Sequence, residues 1–180
     1  MLAYGFVLFA VAMRVLAGTG VLSNMGFTPV GASLLFFGSR MPRKQLWVPV
    51  ALLIGSDVYL TFGPYHQSAM PWDELLIWAW YGGICLFGIL LKDRVKPLNV
   101  LGASLTSAIS FFLVANFAPW VGGSIGYPKT WAGLMASYVA GIPFFQRGLA
   151  SDVLFSAVFF SIPALVTVVA QAAQRRRASA

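Results

Sequence analysis

The chain has 180 residues, of which 59% are hydrophobic and only 9% charged, and its net charge is +7. Soluble domains carry roughly 25% charged residues, so a water-soluble surface cannot be assembled from this composition, and a soluble enzyme is not expected. Five acids (Asp57, Asp73, Glu74, Asp93 and Asp152) face twelve Lys and Arg, but most of the bases fall in three clusters between apolar runs. That arrangement orients a chain in a membrane rather than gripping nucleic acid.

A spanning helix needs about 20 mostly apolar residues, and the chain accommodates roughly six as a single integral membrane domain over 1–180. The first apolar run covers 2–17. No basic residue precedes it and Arg14 lies inside it, which marks a first helix rather than a cleaved signal peptide. A Gly/Ser/Asn loop, 18–27, leads to Thr28-Pro29, a capping hydroxyl before a proline and hence a helix start. The short second helix covers 29–39. The basic loop Arg40-Met-Pro-Arg43-Lys44 follows, then a third helix over 46–62.

A polar stretch from Gly63 to Ser68 precedes a fourth helix over 73–91. Asp73 and Glu74 sit in its first turn, where the helix dipole favours anions. After the second basic loop, Lys92 to Lys96, comes a fifth helix over 97–116. In it Gly102, Thr106 and Ser110, and also Ala103 and Ser107, recur at four-residue spacing. Small residues in that pattern let membrane helices approach closely, which predicts a central position. An irregular stretch is expected over 117–130, then an apolar piece, 131–145, and a last run, 149–173, before Arg175-Arg176-Arg177.

The excess of Lys and Arg marks cytoplasmic loops, which places nine of the twelve bases inside. Three apolar pieces separate the second basic cluster from the C-terminal one, and an odd number of crossings cannot return the chain to its starting side. The 131–145 piece, with two glycines and a proline, is the one short enough to be re-entrant or interfacial. The expected fold is an all-α bundle of six transmembrane helices in the inner (plasma) membrane. Both termini are cytoplasmic, and an outer-side re-entrant or interfacial helix lies between spans five and six.

Charges inside a bilayer are costly and mark function or a needed pair. Arg14 and Asp57 each lie about 11 residues, or roughly 16 Å, above the inner surface, within pairing reach, and a purely structural pair is an equal reading. Asp152 starts the last run from the outer side. With Asn24, Tyr65, His66, Asn116, Trp120 and Tyr127 from the outer loops, these residues outline an outward-facing pocket for a small molecule. Trp72, Trp78 and Trp80 read instead as interfacial anchors. His66 has no second histidine to share a metal, and Cys85, the single cysteine, reads as a packing residue. No metal site, cofactor or nucleotide loop is predicted, and no hydrolase or metalloprotease motif is present, so enzyme chemistry is not expected.

The stretch Asn24-Met-Gly-Phe27-Thr28-Pro29-Val30-Gly31-Ala32 with the following Leu-Leu-Phe-Phe-Gly38 carries a resemblance. So do Asn116-Phe117, Tyr127-Pro128-Lys129-Thr130-Trp-Ala-Gly133 and Ile142-Pro143-Phe144-Phe145. Together they resemble a family of small uncharacterised bacterial membrane proteins that is similar to the substrate-binding S components of energy-coupling factor transporters. The resemblance implies an outer pocket for a vitamin or metal ion and docking onto an energising ATPase module. S components usually dock through an Ala-x-x-x-Ala pattern on helix one. Here Ala3, Ala10 and Ala17 recur every seven residues and Arg14 stands four after Ala10. The expected function is small-molecule uptake by a substrate-binding membrane protein. The alternative is an accessory or structural subunit of a larger membrane complex, in keeping with the 15% aromatic content.

Overall fold

The computed structural model describes residues 1–21 and 27–178, without the side chains of residues 173 and 175–178. Six α-helices follow one another: α1 (Leu2–Gly18), α2 (Val30–Arg40), α3 (Trp47–Phe62), α4 (Glu74–Phe87), α5 (Pro97–Gly122) and α6 (Trp131–Ala178), with short 3-10 turns at Arg43–Gln45 and Gly88–Leu91. No strand occurs among the described residues. Four stretches, Arg43–Phe62, Glu74–Leu91, Pro97–Gly122 and Trp131–Ala172, are long and apolar enough to cross a membrane, and Leu2–Gly18 is a shorter apolar helix.

The central element is α2, not α5. A helix that is apolar or small on every side belongs in the interior, and each residue from Val30 to Ser39 is buried. Two glycines let its backbone meet that of α4. A Cβ on Gly38 would run into the Cys85 carbonyl, and one on Gly88 into the backbone of Leu35. Helix α5 lies at the side of the bundle and uses one of its two small-residue stripes: Ala103 and Ser107 are buried while Gly102 and Thr106 are exposed.

Contacts along the helices set their directions. Tyr4 bonds Gln45 and Arg14 bonds Asp57, so α1 and α3 run parallel. Helix α2 returns antiparallel along α1, with Phe36 and Phe37 edge-on to Phe6 and Tyr4. Helices α5 and α6 are antiparallel, joined by Ser137 to the Asn116 carbonyl at one end and by Ser107 to Asp152 further along. Phe159 of α6 stacks on Phe6 of α1 with ring centroids 3.9 Å apart.

Two boundaries differ from expectation. Helix α5 continues through Pro119 to Gly122 instead of ending at Asn116, and stops at Gly123, whose φ of 82° is the left-handed cap that glycine adopts freely. Its final carbonyls, Trp120 and Val121, accept hydrogen bonds from the Lys129 ammonium, so the end is closed by a cation. The break expected near 146–148 is absent, and 131–145 is not a separate re-entrant element but the start of one 48-residue helix. Gln146 and Arg147 are both exposed, and polar side chains pointing away from a helix do not interrupt it. At 1.5 Å per residue α6 is about 72 Å long, more than twice a bilayer core of about 30 Å.

Candidate functional site: a charged cavity between the helices

Position 14 belongs to the stripe Ala3, Val7, Ala10, Ala17, all buried, so a guanidinium there is forced toward the interior. It donates to Asp57 Oδ1, and this is the one ion pair among the described residues. The other carboxylate oxygen accepts a hydrogen bond of 3.0 Å from the Trp78 indole N–H. The Arg14 guanidinium also lies over the ring of fully buried Tyr81, 5.9 Å from its centroid. Its charge is therefore compensated by a carboxylate and a π face, while its Nε has no partner among the described residues.

On the opposite side Asp152, 6% exposed, accepts from the Ser107 hydroxyl at 2.9 Å and from the Ala32 backbone N–H at 3.2 Å. The first N–H groups of a helix have no partner within it, and α2 has no side-chain cap of its own from Thr28 or Pro29. Asp152, 120 residues away in sequence, supplies one, with a negative charge at the positive end of the helix. Gly31 makes the approach possible, because a Cβ there would overlap the Asp152 carboxylate and the Ser107 hydroxyl.

Between these groups lies a cavity of about 490 Å³. Arg14, Asp57, Asn116 and Asp152 all line it, so four of the residues expected from the sequence converge. Asn116 is held by a hydrogen bond to the Phe112 carbonyl at 2.8 Å and by Gly141, where a Cβ would meet the Asn116 amide.

Three expected residues are not among the lining. His66 is exposed in the loop after α3 with φ 49°, and its neighbours Tyr65 and Gln67 reach the cavity instead. Trp120 is turned to the end of α5, where its indole donates to the Pro128 carbonyl at 2.9 Å and its ring carries the Lys129 ammonium at 5.4 Å. Tyr127 is half-buried in the following loop. Asn24 lies outside the described residues, as do the side chains of Arg175 to Arg177.

Glu74, Trp78 and Trp80 go beyond the sequence reading. Glu74 and Trp80 line the cavity. Trp80 also donates to Ser110 at 2.9 Å and is 8% exposed, a wall rather than an interfacial anchor. The signal was present in α4, where positions 74, 78, 81 and 85 fall on one helical face. Cys85, on that face below the polar groups, is buried and free, as a packing residue should be.

Fold and site define a class: an all-helical bundle with four helices long and apolar enough to cross a membrane and a charged cavity between its helices. The chain belongs to the family of unknown function DUF6580, which it matches over residues 1–175. No curated protein and no solved structure matches it, so kinship with transporter S components rests on the sequence resemblance alone.

Proposed function

We propose that this protein is a substrate-binding membrane protein for small-molecule uptake, similar in role to a transporter S component. The proposed setting is the bacterial inner membrane, with six crossings and both termini in the cytoplasm. The observation that carries the reading is the cavity of about 490 Å³ lined by Arg14, Asp57, Asn116 and Asp152. Its size falls in the range of ligand pockets, which are mostly apolar with a few placed polar groups. Alternating helix directions put α1 and α3 parallel and place the basic turns 40–44 and 92–96 at the end away from the cavity, which supports an outward-facing pocket. Among the described residues no three His, Cys, Asp or Glu gather as a metal site would require, which favours the organic, vitamin-like end of the ligand range over a metal ion.

Ala3, Ala10 and Ala17 are buried against the bundle and cannot be a docking face. Any energising module would have to be held by another surface. The second reading, a subunit of a larger membrane complex, is favoured by one feature: residues 164–172 of α6 are exposed, with Leu165, Val166, Val168 and Val169 left uncovered by the bundle.

Purification in mild detergent followed by mass spectrometry of the retained small molecules, with a thermal-shift screen against vitamins and metal ions, tests the proposal. A retained or stabilising compound whose effect is lost in Asp57→Asn is expected. Stoichiometric co-purification with other membrane subunits and no ligand would favour the second reading.

A further inference from the structure

The charge on the cavity wall is opposite in sign to that of the chain. The whole protein carries twelve Lys and Arg against five Asp and Glu, yet the cavity is lined by one guanidinium and three carboxylates, Asp57, Glu74 and Asp152. Among the described residues no lysine or histidine lines it. Two of the carboxylates have local compensation. Asp57 is paired with Arg14, and Asp152 caps the positive end of α2. Glu74 forms no ion pair among the described residues, since the Arg14 pair is made by Asp57, and its charge is offset more weakly, by the first turn of α4 and by Arg14 at longer range. Asp73, the adjacent buried acid, accepts a hydrogen bond from Ser124 and adds a further negative charge behind Glu74.

A half-buried carboxylate with no ion-pair partner, in a wall where acids outnumber bases, attracts a counter-charge more strongly than one in open water. The remaining wall suits the body of an organic ion. Trp80 and Phe111 meet at 4.8 Å, as do Phe112 and Phe145, giving two tilted aromatic pairs whose members all line the cavity. Aromatic faces attract cations and repel anions. We infer that the cavity selects an organic cation, an ammonium or amidinium group set against Glu74 with a flat apolar body against the aromatic pairs. This rests on the small-molecule-binding reading of the same cavity and specifies the class of ligand it takes.

The test uses the full chain in nanodiscs and three probes of one shape: 1-naphthylmethylammonium, 1-naphthalenemethanol and 1-naphthoate. The cation is expected to bind about tenfold or more tightly than the anion, a difference of about 1.4 kcal/mol. Glu74→Gln should remove most of that preference while leaving the alcohol unchanged. Glu74 takes part in no ion pair among the described residues, so the variant is expected to fold. An anion that binds as well as the cation, or a preference that survives Glu74→Gln, overturns the inference. Binding of the alcohol with no preference for the cation discards the charge assignment and leaves the binding cavity standing, whereas no binding by any of the three discards both.

Discussion

Arg14 and Asp57 show what a buried ion pair requires of its surroundings. Asp57 is 4% exposed, and beyond Arg14 it has one further hydrogen-bond donor, Trp78. Removing one member of such a pair leaves a charge without a partner, while removing both with neutral groups of similar shape is far milder. Arg14→Met is therefore expected to destabilise the protein by about 3 kcal/mol, read as a lowered midpoint of thermal unfolding. The double variant Arg14→Met/Asp57→Asn keeps an acceptor for Trp78 and should recover most of that loss. A double variant no better than the single one would show that the guanidinium serves mainly through Tyr81. The pair itself is legible in the sequence, because two charges at equal depth in apolar helices have few alternatives. Trp78 is not, because an indole near a helix end looks the same whether it anchors to an interface or donates inward. Only the partner on another helix distinguishes the two.

At the scale of elements, contact between α2 and α4 depends on two missing side chains. Gly38→Leu would drive its side chain into the Cys85 carbonyl and is expected to cost about 3 kcal/mol or prevent folding. Gly5→Ala provides the control, since a Cβ on this exposed glycine of α1 meets nothing. It should leave stability unchanged or slightly raised, and equal losses in the two variants would contradict the close approach. Helix positions were readable from apolar runs, capping signals and basic loops: α3 falls within a residue of expectation, and so does α4 once the 3-10 turn Gly88–Leu91 that continues it is counted. Their neighbours were not. Small residues promise close packing without saying which stripe is used, so α5 looked central when α2, apolar or small from Val30 to Ser39, is. The ends of α5 and α6 were misjudged for a related reason. Proline and polar residues weaken a helix locally, but Lys129 closes the last carbonyls of α5, and Gln146 and Arg147 are exposed on the bundle's outside rather than packed into its core.

For the molecule as a whole, the sidedness of the cavity decides the uptake reading. The native cysteine is buried, so introduced cysteines report cleanly. In intact cells a membrane-impermeant maleimide is expected to label His66→Cys, in the exposed loop next to Tyr65, and to label Lys44→Cys only after permeabilisation. The reverse pattern would turn the cavity toward the cytoplasm and remove the case for uptake. Depth along the helices brought Arg14, Asp57 and Asp152 together and Asn116 was read as part of the roof, whereas Trp120 serves the end of α5 and Tyr127 the loop after it, so neither lines the cavity. Asp152 joins the local and the global scale. The carboxylate that lines the cavity also accepts the Ala32 N–H at the start of α2, the helix buried along nearly its whole length. A guest that takes the same oxygen as the Ala32 amide would weaken that bond, which ties the contents of the chamber to the innermost rod of the bundle.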